Sequence, residues 1–417
     1  MTRPSSRPRR AGRTAVGLAI LALVTAACAA PDSAAPQAEG RSFADIRAAA
    51  DGQTVSLWMY GGDEQGNAYV DDILAPAAAE QGVTLRRVPV ADTADAVNRI
   101  LSERQAGVTD GDVDLVWING ENFATGRQAG AWLCGWTGML PNMAGTDPDD
   151  PLLTTDFGTP VDGCEAPWHK AQFTLVYDSA AVPDPPTTLQ GVLDWARANP
   201  GRFTYPAPPD FTGSAFLRQV LYGVSGGPED VPLTYSQDAY DELTPRLFDT
   251  LADLAPFLWR GGDTYPQTGE QLNQLFADGE VDMTMTYGPA TLPDLVADGT
   301  YPPTTRVLTL DEGTLGNASF LAIPSTSGDQ EGAMVVADLA LSADQQLAKA
   351  RPEVWGQFTV LDLSRLDAGD RAAFEQLPAA VVPPYEELSR GADPELSAEW
   401  VPRLEEGWRQ TVLAANP

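Results

Sequence analysis

Between Thr54 and Ile118 the chain alternates short apolar, β-branched runs with segments of helical spacing, and this restricts it to a narrow set of folds. Thr54-Val55-Ser56-Leu57-Trp58-Met59-Tyr60 reads as a strand ended by Gly61-Gly62. Ala68 to Glu80 has helical spacing, Thr84 to Val90 is a second strand, and Thr93 to Ala106 is a second helix with Asp92 as its N-cap. Asp114 to Ile118 is an apolar third strand entering the loop Asn119-Gly120-Glu121-Asn122. This alternation specifies an α/β domain with a largely parallel sheet. Ligands bind such sheets outside the carboxyl ends of the strands, where loops and helix N-termini converge. Trp58 to Gly62 and Asn119 to Asn122 are therefore pocket candidates on topology alone.

The pattern continues less regularly. A helix from Phe43 to Ala50 precedes the first strand. Phe173 to Tyr177 is a strand, and the proline-rich Pro183 to Thr188 marks a domain crossing before a helix from Leu189 to Ala198. Phe203 to Pro209 is expected as a strand that stops at Asp210-Phe211-Thr212-Gly213-Ser214, which opens a helix running through Tyr222. Thr244 to Leu258 and Gly269 to Ala277 are helical, and Val281 to Tyr287 is a strand of alternating Met and Thr. Ser319 to Pro324 is a strand that returns the chain to the first domain. Ala333 to Leu341, Asp344 to Lys349 and parts of the C-terminal tail are helical.

The N-terminus carries an address. Arg3, Arg7, Arg9, Arg10 and Arg13 precede an apolar run from Ala15 to Val24, then Thr25-Ala26-Ala27-Cys28. That order is a bacterial secretory signal ending in a lipobox, with Cys28 as the residue that takes a diacylglycerol. Ala15 to Ala27 is shorter than the roughly 20 residues that cross a bilayer, which argues against a transmembrane anchor. The Arg9-Arg10 pair leaves the export route open between the general secretory and twin-arginine systems. Ala29 to Gly40, rich in Ala, Pro, Ser and Gln, reads as a flexible tether.

Composition narrows the partners. The 417 residues carry a net charge of −32, and 43% are apolar. The acidity disfavours nucleic acid and bare anionic lipid, and suits solubility outside the cell. Cys134 and Cys164 follow Cys28 in an oxidising compartment, so a disulfide between them is permitted.

Chemistry-bearing patterns are few. Phe211-Thr212-Gly213-Ser214 is the sharpest, because free N–H groups and the positive end of a helix dipole meet there. Gly213 permits close approach of a ligand, and the Thr212 and Ser214 hydroxyls add hydrogen bonds; an ordinary N-cap is the competing reading. Trp58, Tyr60, Trp117, Trp168, Trp259, Tyr265 and Tyr287 supply aromatic faces for planar or cationic ligands, or pack as core. Glu121 and Asp210 either neutralise a cationic ligand or are solvated loop acids. Asp110, Asp112, Asp114 and Glu121 have EF-hand-like spacing, but Leu115 stands where glycine is needed, so calcium is not expected. His169 is the one histidine, which argues against a zinc site and leaves a Ser-His-Asp triad only that residue to use. No phosphate-loop or dinucleotide glycine pattern is present, and no cofactor is expected. A carboxylate pair for glycoside hydrolysis stays open among 58 acids.

Several longer runs carry a resemblance. Asp114 to Phe123 (DLVWINGENF), Thr154 to Gly158 (TTDFG), Arg202 to Ser214 (RFTYPAPPDFTGS), Gly313 to Asn317 (GTLGN), Val354-Trp355-Gly356 and Thr359-Val360-Leu361-Asp362 resemble extracellular solute-binding proteins of ABC importers. The likeness is to the family 1-like group related to thiamine-, iron- and polyamine-binding proteins, and it covers nearly all of the chain after the signal. It implies a two-lobe periplasmic-binding-protein-like fold of type II, α/β, with a cleft between lobes joined by crossing hinge strands. The organisation it implies is a signal peptide over 1–27, a lipidated tether over 28–42, lobe one over 43–177, lobe two over 178–312, and a return to lobe one with C-terminal helices over 313–417. On this resemblance Asn119, Glu121 and Asn122 face the cleft from lobe one and Thr212, Gly213 and Ser214 from lobe two, with Trp58, Tyr60 and Tyr287 as walls; Gly61, Trp117 and Asp210 complete the expected ligand-binding set. Hinge closure on a small ligand would present the loaded form to a permease and its ATPase subunits. The chain is then a monomer held to the membrane by the lipid on Cys28, with no enzymatic activity and no nucleic acid partner. The acids and aromatics favour a small organic cation, thiamine-like or polyamine-like, while the helix terminus at Thr212 favours an anion or zwitterion. A lipid-anchored extracellular hydrolase using a carboxylate pair is the alternative.

Overall fold

The computed structural model describes residues 41–377, 382, 383, 388 and 392–414. The signal peptide, Cys28 and the tether up to residue 40 lie outside the described residues. Eleven strands are present among the described residues: β1 (Thr54–Tyr60), β2 (Thr84–Val90), β3 (Leu115–Ile118), β4 (Thr155–Asp156), β5 (Thr159–Pro160), β6 (Glu165–Gln172), β7 (Thr174–Asp178), β8 (Met283–Thr286), β9 (Thr305–Leu308), β10 (Thr314–Ala322) and β11 (Ala392–Asp393).

The first sheet has the order β11-β10-β3-β1-β2, with β6 also paired to β10. β1 runs parallel to β2 from Thr54↔Thr84 to Tyr60↔Val90, and parallel to β3 at Leu57↔Leu115. Val55, Leu57 and Met59 alternate into the core while Trp58 stays half-buried, as the period of two requires. The helix Thr93–Ala106 that crosses between β2 and β3 starts where Asp92 accepts from the Ala94 amide and stops at Gly107 in the left-handed region. The second sheet, β8-β7-β9, is antiparallel throughout.

Each sheet belongs to its own apolar core. Val55, Leu57, Leu115, Phe123, Trp136, Trp168, Phe320 and Trp355 lie in the first; Phe173, Leu175, Phe216, Leu247, Leu315, Trp400 and Trp408 lie in the second. The chain changes core between Trp168 and Phe173, ahead of the expected boundary at 177 and of the proline-rich stretch read as the crossing. The crossing is made of regular strand, β6 running into β7, rather than of the proline-rich segment. The chain changes back within β10, whose Leu315 packs in the second core and whose Ala318 and Phe320 pack in the first. The two crossings are bonded together. The Phe173 amide donates to the Leu315 carbonyl at 2.8 Å, and the Gln172 side chain donates to the Thr314 carbonyl and hydroxyl, both at 2.7 Å.

The structure corrects four sequence expectations. Asn119 to Asn122 is not a loop: Gly120 begins a helix that runs to Gln128. Phe203 to Pro209 forms no strand, because Pro206, Pro208 and Pro209 supply no N–H for a ladder. It is tied instead by the Trp259 amide to the Phe203 carbonyl and the Ala207 amide to the Pro266 carbonyl, each 2.8 Å. The helix expected from Thr244 starts at Gln237, capped by Ser236, and tolerates Pro245 inside it. β10 begins at Thr314, not Ser319; Gly313 to Asn317 looks like a turn in sequence, yet all of β10 is buried and shows no alternation to read.

Candidate functional site

The helix Phe211–Ser225 supplies the centre of the site. Asp210 caps it by accepting from the Gly213 amide at 2.9 Å, and its other oxygen accepts from the Gly269 amide at 3.0 Å. The helix end expected to receive a ligand anion therefore already holds a carboxylate of the protein. Burial raises the Asp210 carboxyl, and the bonds from Gly213 and Gly269 work against that rise. Gly213 does not open the site to a ligand: a Cβ there would lie 2.1 Å from the Pro206 carbonyl oxygen, so its glycine serves close chain packing. The Thr212 hydroxyl lies against Gly269.

One turn after Ser214, on the same face of the helix, Arg218 points into a buried network. Its Nη1 donates to Ser214 Oγ at 3.0 Å, Nε donates to Glu395 Oε2 at 2.8 Å, and Nη2 donates to Glu395 Oε1 at 3.1 Å. The Tyr287 hydroxyl also donates to Glu395 Oε1, at 2.6 Å. Burial would lower the Arg218 guanidinium, but Glu395 beside it raises it above its usual range. Phe211, 46% exposed, sets its ring 4.9 Å from that of Tyr287.

The first core's residues meet this network through β4 and the turn that follows it. The Phe157 ring rests against Gly120 and lies 5.7 Å from the Arg218 guanidinium carbon. Gly120 has φ +63°, a conformation that glycine adopts without strain, and its amide donates to Asp156 Oδ1 at 2.8 Å. Asp156 is buried, and its Oδ2 has no hydrogen-bond partner. Burial pushes the Asp156 carboxyl well above the usual carboxylate range, and the charges of Glu121 and Glu395 push it further. Glu405 feels Arg218 and Glu121 as well, and burial raises it. Glu121, Asp156, Glu395 and Glu405 thus interact around Arg218, with Arg409 also acting on Glu405; Glu165, buried and with both carboxyl oxygens unpartnered, interacts with Asp156 and is likewise pushed well above the usual carboxylate range by burial.

Of the residues expected from sequence, the structure gathers Ser214 and Tyr287 into one network, with Asp210 and Thr212 at its edge and Glu121 facing it. Asn119 sits at the N-cap of the Gly120–Gln128 helix without capping it, and Asn122 is half-buried in the first turn. Trp58 is committed elsewhere, its indole donating to the Asp112 carbonyl at 3.2 Å. Tyr60, 43% exposed, lies across Gly62, and Gly61 packs on Pro89 and donates to the Val90 carbonyl. Trp117 stands edge-on to Trp168 and Trp355, at 5.5 and 5.7 Å, within an aromatic cluster of the first core. Trp168 and Tyr265 are buried core residues, and Trp259 donates to Glu280 at 2.8 Å. His169 is buried against those tryptophans, and burial together with Lys349 pushes its imidazole well below the usual range. Cys134 and Cys164 are joined in a disulfide. Among the described residues no group of three or more His, Cys, Asp and Glu is arranged to hold a metal ion.

Arg218, Glu395, Asp156, Phe157 and Phe211 were not singled out from the sequence as site residues. The spacing of Ser214 and Arg218, four apart on one helix, was a readable signal. Asp156 and Phe157 lie within the TTDFG run, and no pattern in the sequence marks Glu395.

Two lobes with separate cores, joined by crossing strands and meeting at a junction of polar and aromatic side chains, define a solute-binding architecture. The chain belongs to the bacterial extracellular solute-binding proteins, whose family pattern matches residues 72–379. It is 38% identical over 365 residues to Protein YnjB of Escherichia coli (strain K12), covering 87% of this chain and 92% of that one. Its fold is similar to the spermidine/putrescine ABC transporter substrate-binding protein PotD from Streptococcus pneumoniae strain Canada MDR_19A, with a TM-score of 0.63, 14% identity, and coverage of 87% and 99%. It is likewise similar to maltose-bound MalE3 of T. maritima, with a TM-score of 0.64, 16% identity, and coverage of 88% and 95%. A polyamine-named and a maltose-bound protein share this fold, so the fold alone does not choose a ligand.

Proposed function

We propose that this chain is the substrate-binding component of an ABC importer, anchored by a lipid on Cys28 to the outer face of the cytoplasmic membrane, and that it captures a small organic cation between its lobes. One observation carries the cation reading. The two groups suited to receive an anion, the Phe211–Ser225 helix end and Arg218, already hold protein carboxylates: Asp210 on the first and Glu395 on the second. Glu121, which acts on both Asp156 and Glu405, adds negative charge at this junction, and that attracts a cation. Phe211 and Tyr287 add ring faces for cation–π contact. The two lobes, one built on the first core and one on the second core with the helix Trp400–Trp408, would close on the ligand and present the loaded protein to the permease.

A thermal-shift panel tests this reading. Thiamine, putrescine and spermidine are compared with maltose and glutamate. A bound cation at about a hundred times its Kd adds about 2.7 kcal/mol of stability; a response to maltose or glutamate alone overturns the reading. Metabolic labelling with a palmitate analogue, lost in Cys28→Ala, tests the anchor.

The carboxylate-pair hydrolase is a second reading, favoured by the raised Asp156 carboxyl beside Glu121 and Glu395. Against it, Glu395 accepts three bonds, two from Arg218 and one from the Tyr287 hydroxyl, so it serves as the counter-ion of a buried guanidinium. Asp156 is buried. Release of reducing ends from oligosaccharides by the purified protein would restore the hydrolase.

A further inference from the structure

We propose that the turn Phe157-Gly158 is a latch between the lobes, with the Phe157 ring seated between Gly120 of one lobe and Arg218 of the other. The latch needs the two-lobe architecture and not the charge of the ligand.

The turn is built against local preference. β4 and β5 pair as Thr155↔Pro160 and Asp156↔Thr159, which leaves Phe157 and Gly158 as a two-residue hairpin turn. Their φ angles are +43° and +71°. A hairpin turn with both central residues at positive φ favours Asn, Asp or Gly in its first position, because the Cβ of an L-residue crowds the following carbonyl there. Gly158 meets the demand of its own position, and Phe157 does not meet that of the first. Conflicts of this kind between local preference and fold gather where the side chain has a use.

The packing shows the use. Leu153 and Val161, on either side of the hairpin, lie in the first core. Phe157 itself is only 5% exposed, yet it lies in neither core. Its ring rests on Gly120 on one side and lies 5.7 Å from the Arg218 guanidinium carbon on the other. Arg218 stands on the Phe211–Ser225 helix, whose Leu217 and Val220 belong to the second core. Gly158 reaches across in the same way: a Cβ there would lie 3.4 Å from that of Ser397. Ser397 is fixed to the second lobe, its amide donating to the Leu233 carbonyl at 2.9 Å and its hydroxyl accepting from the Tyr235 amide at 3.2 Å. Both residues of the turn therefore bridge from the first lobe to the second. A ring facing a guanidinium is attractive, and a contact made only when the lobes are together shifts their equilibrium toward the closed arrangement.

The competing account is that the ring only packs within the first lobe. Small-angle X-ray scattering of the full chain without added ligand separates the two, with Phe157→Asn as the variant. Asn adopts positive φ readily, so the turn keeps its geometry while the ring is lost. The expected result is a larger radius of gyration for Phe157→Asn than for wild type. A ring with a packing role alone would change the melting temperature and leave the radius as it is, so equal radii in the folded proteins overturn the latch. A wild-type scattering profile of separated lobes overturns it as well. If Phe157→Asn does not fold, Ser397→Leu, which crowds Gly158 from the second lobe, is read in the same way. Failure of the latch leaves the cation reading standing, because no ligand enters the measurement.

Discussion

The Arg218 guanidinium and the Glu395 carboxylate face each other with two hydrogen bonds, 2.8 and 3.1 Å, and their side chains are 1% and 2% exposed. Glu395→Gln leaves a buried guanidinium without its counter-charge, which costs about 3–5 kcal/mol. Replacing both residues by apolar ones of similar volume recovers most of that loss. Denaturant unfolding of the single and double variants measures the difference. A single variant within about 1 kcal/mol of wild type would show that the pair is not held as described.

Asp210 fills the end of the Phe211–Ser225 helix. Asp210→Ala is expected to cost about 0.5–2 kcal/mol through the lost cap. It also frees the amides of that turn, so the variant, unlike the wild type, gains thermal stability on addition of sulfate. Equal sulfate response in both proteins would mean that the carboxylate does not occupy the helix end.

Asp393, buried in β11 near Glu229 and Glu312, has its carboxyl pushed up to about 7, chiefly by burial. A folded-state value above the unfolded 3.8 means the native protein holds this proton longer. Its contribution to stability is complete below 3.8 and is lost as pH rises towards about 7. Asp393→Asn removes this slope. Unfolding free energies measured at several pH values across the window check the sign; a steeper slope in the variant would refute it.

The Cys134–Cys164 bridge closes a loop with a separation of 30 residues. Loop entropy assigns it about 3–4 kcal/mol. Reduction, or Cys134→Ala with Cys164→Ala, is expected to lower the unfolding free energy by about that amount without altering the Arg218 network. The comparison of oxidised and reduced protein by denaturant titration reads it directly.

Legibility in the sequence followed the locality of each interaction. β1, β2 and the helix Thr93–Ala106 were readable to the residue, because alternation, an Asp cap and a terminal glycine are all local signals. β10 was half missed, because a strand buried on both faces has no period and its Gly-rich start imitates a turn. Ser214 and Tyr287 were named as site residues from local cues, but the partner that unites them, Glu395, lies over a hundred positions from Tyr287, and no local pattern marks it. Gly213 was misread for a related reason: its neighbour is Pro206, before the cap, at a distance that only the folded chain defines.

The crossing of β10 with the β6–β7 strand has a consequence for biosynthesis. The first core needs Ala318, Phe320 and Trp355, and the second needs Leu396, Trp400 and Trp408. Neither can close while the chain is still emerging from the ribosome. Both lobes are of high contact order by construction, and such chains fold late. The same two crossings therefore keep the nascent polypeptide unfinished until nearly its last helix is made.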